Sequence, residues 1–313
     1  MNPTVLSLIK LPPATVRALQ DTFGVCTQGD NPRSAVVPPG SREAIRAVVT
    51  NGTTGMAAQQ MDELPNLEII CVFGAGYEGV DLVAAQARGI VVTHAPGTNT
   101  ATVADHAMGF LLALTRRHET LTGEVRKGNW KTSRNARPTL HGSSIGILGM
   151  GRVGSLVARR AAAFDMTVRY SDVMERPDVA GTFCADVQTL ARESDFLVAT
   201  CPGGEATYHI VDRSVLRALG PRGYLVNVSR GSVVNTDDLV LAIQAEEIAG
   251  AGLDVIETEP EVPAALLESD RVLLTPHVAG RSPASQLAQQ DTLMENLKRR
   301  FSGRTVQFVV PPR

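Results

Sequence analysis

Short apolar runs alternate with amphipathic stretches along the first hundred residues. Runs rich in β-branched residues at 5–9, 47–50, 67–73 and 90–93 predict strands, and the apolar spacing over 13–22 predicts a helix. Strands that alternate with helices are typical of βαβ units and a parallel sheet. The pattern therefore predicts a first α/β unit that ends near residue 100.

A longer apolar helix is predicted over 101–117, and a second series of strands and helices follows it. Its six predicted strands lie at 144–148, 167–171, 196–200, 224–228, 249–254 and 272–275. Six such strands fit a doubly wound parallel sheet. Amphipathic spacing predicts a last helix over 283–301, but periodicity alone does not say which unit it packs against.

Length and charge narrow the class of protein. The chain has 313 residues, with 30 Lys and Arg against 32 Asp and Glu, so its formal charge is −2. This length favours about two domains. A balanced charge gives no electrostatic reason to expect nucleic acid or an anionic membrane as a partner, and no run approaches the roughly 20 apolar residues of a membrane span. A small-molecule ligand is expected.

The cysteines bear on the compartment. Cys26, Cys71, Cys184 and Cys201 are widely separated and form neither a CxxC pair nor a zinc pattern. They are therefore expected to remain thiols, with no metal site. The apolar run at 5–9 is too short for a signal peptide, so the sequence favours a reducing, cytoplasmic location.

A GxGxxG motif at 149–154 lies between an apolar predicted strand and a helix rich in Ala, Leu and Val. In such a loop the first glycine permits the tight turn, the second lets backbone approach a pyrophosphate, and the third lets helix and strand pack closely. The helix N-terminus then faces the phosphates. The candidate cofactor-binding residues of this loop are Gly149, Gly151, Arg152, Val153 and Gly154.

An acidic residue follows the next predicted strand. Asp172 comes about 20 residues after the glycines, where a carboxylate can accept both ribose hydroxyls of NAD and repel the 2′-phosphate of NADP. Arg176 lies four residues further on and could accommodate that phosphate. NAD is therefore the expected cofactor, and NADP is the alternative.

Three predicted strands end on polar residues. Arg230, Asp254 and His277 follow the fourth, fifth and sixth strands of the second series. The carboxyl ends of parallel strands form the ligand-binding rim of an open sheet. Reducing a carbonyl by hydride needs an acid for the oxygen and a cation for the substrate, and histidine is the natural acid near neutral pH. Singly, each residue also fits an ordinary structural role.

A carboxylate beside that histidine would favour its charged form and keep a proton available. Glu259 is the candidate for this carboxylate, and Glu257 and Glu261 compete for the role. A charged loop fixed by Pro260 is the structural alternative.

Several blocks in their order resemble the D-isomer-specific 2-hydroxyacid dehydrogenase family over most of the chain. They lie at 73–81, 103–106, 149–154, 229–231, 252–255, 259–260 and 275–277. The departures are Asp105, where Glu is frequent, and the run of residues 201–204. Neither touches the proposed reacting groups.

The resemblance implies an α/β fold with two domains. A Rossmann-type doubly wound cofactor domain, 101–283, is inserted into a smaller flavodoxin-like substrate domain made of 1–100 and the returning helix of 284–313. A cleft that closes between the domains is also implied.

The resemblance also implies residue roles. His277 is the acid/base with Glu259 as its carboxylate partner, Arg230 holds the substrate carbonyl and carboxylate, and Asp254 holds the nicotinamide carboxamide. The loop that includes Ala75, Gly76 and Tyr77 supplies backbone N–H groups to the substrate carboxylate, although Tyr77 could instead pack in the core. The other cofactor-binding positions are Cys201, Pro202, Thr207, Val228, Ser229, His277 and Gly280. Cys201 is expected to be a wall residue and not a nucleophile, and Arg281 could add a second cation.

The expected activity is reversible hydride transfer from NADH to a small 2-oxoacid, which gives the D-2-hydroxyacid. Residues 201–204 with Thr207, and 275–280, are similar to the glyoxylate/hydroxypyruvate reductase branch, so glyoxylate or hydroxypyruvate is favoured. An aryl-pyruvate reductase and an NAD(H)-sensing, corepressor-like binding protein are the alternatives. The helix over 101–117 and Trp130 resemble the dimer-forming segment of the family, so a homodimer is expected.

Overall fold

The computed structural model describes residues 3–27 and 42–311. The chain divides into two compact units. The first consists of Met1–Asn99 and Arg281–Arg313, and the second of Thr100–Gly280. The second unit is therefore inserted into the sequence of the first.

The first unit is a parallel sheet connected by helices. Its elements are β1 (Thr4–Ser7), α1 (Pro13–Gln20), β2 (Gly24–Thr27), β3 (Ile45–Thr50), α2 (Ala58–Asp62), β4 (Ile69–Val72), α3 (Leu82–Ala87) and β5 (Val91–Thr93). The strand order β2-β1-β3-β4-β5, with every pairing parallel, is flavodoxin-like. All of β4 is buried, because helices cover both faces of such a sheet, and its sequence is accordingly apolar throughout.

The second unit starts with two helices and continues into a larger parallel sheet. Its elements are α4 (Thr100–Arg116), α5 (His118–Arg126), β6 (Ser144–Leu148), α6 (Arg152–Ala163), β7 (Thr167–Ser171), β8 (Thr182–Phe183), α7 (Val187–Arg192), β9 (Phe196–Ala199), α8 (Arg213–Leu219), β10 (Tyr224–Asn227), α9 (Thr236–Gln244), β11 (Gly250–Leu253), α10 (Ala264–Leu267) and β12 (Val272–Leu274). The prediction of six strands was wrong, because the sheet has seven, in the order β12-β11-β10-β9-β6-β7-β8.

The strand order of the second unit locates its ligand-binding edge. Strands β7 and β8 lie on one side of β6, and strands β9 to β12 lie on the other. The order therefore reverses at β6, and in open α/β sheets ligands bind beyond the carboxyl ends of the strands at such a switch point. The predicted Rossmann-type fold class is confirmed.

Helix α4 covers one face of this sheet. Its buried side chains, including Ala104, Phe110 and Leu111, join a core with Ile145 and Val226 from the strands. Gly252 in β11 makes room for the helix, because a Cβ there would lie 2.8 Å from the Phe110 ring. Within the described residues, no helix is long and apolar enough to cross a membrane.

The last helix, α11 (Pro283–Phe301), belongs to the first unit. Ser282 caps it by accepting the backbone N–H of Ser285 at 3.1 Å, and proline occupies the first turn, where its missing N–H costs nothing. Leu293, Met294 and Leu297 bury its apolar face in the core of the first unit. The contacts thus supply the packing partner that periodicity left open.

Candidate active site

The glycine loop between β6 and α6 has the shape that a dinucleotide needs. Gly149 has φ +93°, and a Cβ there would lie 2.6 Å from the Cα of Cys201. A Cβ on Gly154 would lie 2.1 Å from the carbonyl oxygen of Gly149, so the helix packs on the strand only with glycine here. By contrast, a Cβ on Gly151 would meet nothing within 4 Å. This open approach to the N-terminus of α6 fits a pyrophosphate.

Arg152 and Val153 are the first two residues of α6. Arg152 is exposed at the helix N-terminus, whereas Val153 is partly buried against the core of the second unit. The N–H groups of this first turn are the ones that a helix leaves unpaired, and they suit an anion. The loop residues therefore fit the phosphate groups of NAD or NADP.

Asp172 follows β7 and lies against the glycine loop. One carboxylate oxygen accepts the N–H of Met150 at 2.7 Å, and the other accepts the N–H of Val173 at 2.7 Å. Arg176 donates to the carbonyl oxygen of Met150 at 3.3 Å and pairs with Asp178 at 3.2 Å. The acid and the alternative cation are thus held at the same edge of the loop.

The loop after β9 lies directly beside the glycine loop. Cys201 is 7% exposed, and burial raises the pKa of its thiol to about 11, so the thiol stays protonated at neutral pH. Cys201 is therefore a poor nucleophile, and its place in the wall of the cofactor site stays a prediction. The Thr207 hydroxyl closes the loop by donating to the carbonyl oxygen of Pro202 at 2.7 Å.

Arg230 follows β10 on a turn that Asn227 holds. The Asn227 side chain donates to the carbonyl oxygen of Arg230 at 3.0 Å and accepts the N–H of Ser229 at 3.0 Å. The Ser229 hydroxyl donates to the carbonyl oxygen of Cys201, which joins this turn to the loop after β9. Val228, which precedes Ser229, is buried.

The aliphatic part of Arg230 lies over Gly203. A Cβ on Gly203 would come within 2.8 Å of the Arg230 Cγ, so a side chain there would displace the arginine. The Arg230 guanidinium donates to the carbonyl oxygen of Ser229 at 2.8 Å. The sequence interpretation gave Gly203 no role, because the contact joins two different strand ends.

Asp254 follows β11 and is buried. One of its oxygens accepts the Thr275 hydroxyl at 2.6 Å and the N–H of Val278 at 2.8 Å, and the other accepts the N–H of Ala279 at 2.8 Å. A buried carboxylate needs such donors. Asp254 therefore organises the turn around residue 277, and its contact with a nicotinamide carboxamide stays a prediction.

His277 lies on that turn with φ +53°, a conformation that costs energy for a residue other than glycine. Its N–H donates to the carbonyl oxygen of Asp254 at 2.9 Å, and its ring Nδ1 is 2.9 Å from the Glu259 carboxylate. The imidazole is 40% exposed. Within residues 3–27 and 42–311, no hydrogen bond holds Nε2, so the ring can present this nitrogen to a substrate.

The His277 pair identifies one carboxylate among the three candidates. Glu259 accepts from His277 and also from the N–H of Ile256 at 3.0 Å. Glu257 instead pairs with His209, at 2.6 Å. The backbone N–H of Glu261 donates to the carbonyl oxygen of Thr258, and the carbonyl oxygen of Glu261 accepts the Thr258 hydroxyl.

Charge on the rim acts on Glu259. Burial raises the pKa of Glu259, but the hydrogen bonds from His277 and Ile256 and the charges of His277 and Arg230 outweigh burial, and the net pKa lies below its ordinary value of 4.5. Glu259 is therefore ionised at neutral pH. Arg230 thus lies near enough to Glu259 for its charge to lower the pKa of that carboxyl group.

The pairing of His209 with Glu257 was missed in the sequence. Asn235 Nδ2 lies 3.2 Å from the other ring nitrogen of His209, so both nitrogens are engaged. The bond ties the segment after β9 to the segment that carries Glu259. Because His209 and Glu257 are 48 positions apart, only the fold brings them together.

The predicted substrate loop lies at the carboxyl end of β4 in the first unit. The His94 ring Nδ1 is 2.8 Å from the carbonyl oxygen of Ala75, and Tyr77 contacts the His94 ring edge-on at 5.1 Å. Tyr77 is also partly buried against the core of this unit. Gly76 lies close to Gly52, where a Cβ would be 2.7 Å from the Gly76 carbonyl oxygen.

Gly280 and Arg281 lie where the chain leaves the second unit for the first. Arg281 is exposed. Gly280 follows the buried Ala279, whose N–H Asp254 accepts. The predicted roles of Gly280 at the cofactor and of Arg281 as a second cation stay predictions.

The sequence is similar to those of known proteins. Residues 108–279 match the model of the D-isomer specific 2-hydroxyacid dehydrogenase, NAD binding domain. Glyoxylate/hydroxypyruvate reductase A HPR2 of Arabidopsis thaliana is 40% identical over 289 residues, covering 92% of each chain. Hydroxyphenylpyruvate reductase of Plectranthus scutellarioides is 41% identical over 263 residues, covering 84% of each chain.

A solved structure agrees with these relatives. The NADPH-dependent glyoxylate/hydroxypyruvate reductase of Sinorhizobium meliloti, determined with NADP and malonate, superposes with a TM-score of 0.92 at 36% identity, covering 100% of this chain and 98% of that one. The fold and site thus define an NAD(P)-dependent oxidoreductase. The chain belongs to the D-isomer specific 2-hydroxyacid dehydrogenase family, as the sequence blocks indicated.

Proposed function

We propose that this chain reduces a small 2-oxoacid, glyoxylate or hydroxypyruvate in the first place, to the D-2-hydroxyacid with NADH. The observation that carries the proposal is the His277–Glu259 pair at the rim that also bears Arg230. Relatives named glyoxylate/hydroxypyruvate reductase favour these two substrates.

The residues have distinct tasks in this reaction. The bound dinucleotide supplies the hydride that the carbonyl carbon accepts. His277 holds a proton on Nε2 and gives it to the carbonyl oxygen, so the carbonyl group becomes a hydroxyl group. Glu259 fixes the ring through Nδ1 and stabilises the imidazolium before the transfer. Arg230 orients the substrate carboxylate and polarises the carbonyl.

We assign the second unit to the cofactor and the first to the substrate carboxylate. Support for a cofactor site in the second unit is the fit of the glycine loop and Asp172 to a dinucleotide. Support for a substrate site in the first unit is the glycine loop after β4, in which Gly74 has φ +147°. We propose domain boundaries near residues 100 and 283, and the division of the chain into Met1–Asn99 with Arg281–Arg313 and Thr100–Gly280 supports them.

A panel of 2-oxoacids tests the proposal. Glyoxylate, hydroxypyruvate, 4-hydroxyphenylpyruvate and pyruvate are each assayed with NADH and with NADPH. We expect the highest kcat/KM with glyoxylate or hydroxypyruvate. A preference for 4-hydroxyphenylpyruvate would favour the alternative of an aryl-pyruvate reductase, which the similarity to hydroxyphenylpyruvate reductase supports. Tight NADH binding without turnover of any oxoacid would favour a sensor and contradict the proposal.

Replacing Asp172 by Asn is expected to raise the kcat/KM ratio of NADPH to NADH by about 10- to 100-fold, because a charged hydrogen bond contributes roughly 1.5–3 kcal/mol. Asparagine can still accept the N–H of Met150, but it neither repels a 2′-phosphate nor binds ribose as a charge. Steady-state kinetics with both cofactors measure the ratio.

The control for Asp172 is Glu175→Gln, which removes an exposed charge from the same segment. Its cofactor ratio should equal that of the wild type. An unchanged ratio in Asp172→Asn would place the acid away from the ribose.

Replacing Glu259 by Gln is expected to move the alkaline fall of the reduction rate to lower pH. The pKa of Glu259 is lowered in the folded protein. Its ionised form therefore stabilises the fold at any pH above the ordinary carboxyl pKa, and this contribution is lost as the pH falls through the lowered pKa. At neutral pH the Glu259 carboxylate is charged and stabilises an imidazolium beside it, whereas glutamine carries no charge and does so less. A kcat profile against pH detects the difference.

The matched control is Glu257→Gln, which breaks the other His–Glu pair of the same segment. Its alkaline limb should stay at the wild-type pH. Equal displacement in both variants would mean that general loop disorder, and not the Glu259 charge, sets the profile.

We further propose a cytoplasmic homodimer. Cys71, Cys184 and Cys201 are free thiols, which suits a reducing compartment; the Cys26 side chain lies outside the described part of the chain. Trp130, which follows α5, is 65% exposed and belongs to the part of the sequence that resembles the dimer-forming segment of the family. The chain has a mass of 33.3 kDa, and light scattering after size exclusion should give twice that mass. A monomer would refute the assembly.

A further inference from the structure

His106 on α4 contacts the strand end that leads to His277. Its ring Nε2 lies 3.0 Å from the Thr275 hydroxyl and 3.8 Å from the nearer carboxylate oxygen of Asp254. The His106 side chain is 24% exposed. The reaction described above gives this residue no task.

The direction of the hydrogen bonds follows from proton counting. The Thr275 hydroxyl lies 2.6 Å from an Asp254 oxygen, and an ionised carboxylate only accepts. The hydroxyl therefore donates its one proton to Asp254 and accepts from His106. His106 must carry a hydrogen on Nε2, which fixes its role as a donor.

The hydrogen bonds from His106 to Thr275 and from Thr275 to Asp254 form a relay. Asp254, at its end, holds the turn that carries His277. The Asp254 carboxylate receives the N–H groups of Val278 and Ala279, and its backbone oxygen receives the N–H of His277. These bonds flank a residue at φ +53°, a conformation that persists only when its surroundings enforce it. A change in Thr275 or Asp254 would therefore alter the direction in which the His277 ring points.

Packing fixes the position of the donor. The His106 ring contacts Phe110 edge-on, with centroids 4.7 Å apart and an interplanar angle of 88°. Phe110 in turn lies against Gly252 of β11, where no larger residue fits. The imidazole is thus held on a packed helix and delivers its N–H at a defined point.

We propose that His106 is a positioning residue, which orients Thr275 and Asp254 and through them sets the geometry of the His277 turn. It touches neither substrate nor cofactor in this scheme. The proposal rests on the proposed function only in giving the turn a catalytic purpose.

Two variants separate the hydrogen bond from the packing. His106→Phe keeps an aromatic ring beside Phe110 but removes the donor. His106→Gln places an amide N–H the same number of bonds from Cα, so it can donate to Thr275 again. Asp105→Asn is the matched control, because Asp105 is the neighbouring residue on α4 and pairs with Arg160.

We expect His106→Phe to lower kcat about 2- to 10-fold, the effect of one lost neutral hydrogen bond, with KM and the NADH dissociation constant little changed. His106→Gln should recover most of this loss, and Asp105→Asn should match the wild type. The double variant His106→Phe with Thr275→Val should have nearly the same kcat as Thr275→Val alone, because both changes break the same chain of hydrogen bonds.

A readout without turnover tests the same geometry. In protein with ¹³C-labelled histidine rings, one of the six histidine signals is assigned to His277 by its absence from His277→Asn. The signal should shift in His106→Phe and return towards its wild-type position in His106→Gln. If both the signal and the relative kcat of His106→Phe equal those of the wild type, His106 does not position the turn.

The two readouts distinguish two failures. A wild-type enzyme that turns over no 2-oxoacid refutes the proposed function, and the His277 signal still decides the role of His106. A lower kcat in His106→Phe that glutamine does not recover would assign the effect to packing and overturn the relay.

Discussion

Replacing His277 by Asn is expected to lower kcat by about 10²- to 10⁴-fold, the usual range for a lost general acid. Asparagine is the suitable replacement, because it tolerates the left-handed conformation at φ +53° better than alanine does. The variant keeps the turn but has no group that can give a proton to the carbonyl oxygen at neutral pH. Single-turnover oxidation of bound NADH by the oxoacid measures the chemical step.

The chain offers a matched control for this variant. His141 pairs with Asp165 at 3.2 Å, also within the second unit, and its side chain is exposed. His141→Asn should retain the wild-type kcat. The NADH dissociation constant of His277→Asn should be close to the wild-type value, because the glycine loop and Asp172 are untouched. A His277→Asn enzyme with near-normal kcat would remove this residue from the mechanism.

Replacing Arg230 by Ala is expected to lower kcat/KM for the oxoacid by about 10²- to 10³-fold. A lost charged hydrogen bond costs roughly 1.5–3 kcal/mol, and a guanidinium can make two to one carboxylate. The loss should appear in both kcat and KM, since the same group orients the substrate and polarises its carbonyl. NADH binding, followed by the change in its fluorescence, should remain intact.

Lysine and a distant arginine sharpen the Arg230 experiment. Arg230→Lys keeps the charge without the planar fork, so its kcat/KM should lie between those of wild type and Arg230→Ala. Arg222, exposed at the opposite end of β10, provides the control, and Arg222→Ala should behave as wild type. Weakened NADH binding with normal use of the oxoacid would show that Arg230 serves the cofactor.

The sheets were predictable because their strands are buried on both faces. Continuous apolar, β-branched runs such as 69–72 have few alternatives to a parallel strand, and the glycine motif needs both a strand and a helix beside it. The missed strands carry weaker patterns. Strand β8 has only two residues, and β2 begins with Gly24, so neither presents a recognisable period.

The rim of the site was predictable from topology alone, whereas its contacts were not. Parallel strands bring their carboxyl ends to one edge, which placed Arg230, Asp254 and His277 together in advance. The choice of Glu259 over Glu257 depends on the path of a short loop, which side-chain types do not determine. The contact between His106 and Thr275 spans 169 positions, so no local pattern could indicate it.

The contact of the Arg230 side chain with Gly203 could not be predicted from the sequence either. The contact requires that the loops after β9 and β10 lie side by side, as the pairing of those strands ensures. A sequence shows that Gly203 lacks a side chain, but it does not show which neighbour uses the space. The second His–Glu pair, formed by His209 and Glu257, stayed hidden for the same reason.

The most direct measurement is a crystal structure of the enzyme with NADH and oxamate, an unreactive analogue of a 2-oxoacid. We predict that His277 Nε2 and the Arg230 guanidinium both lie within hydrogen-bond distance of the oxamate carbonyl oxygen, with Glu259 still bound to Nδ1. Oxamate bound elsewhere, or a His277 ring turned away from the carbonyl, would contradict the account.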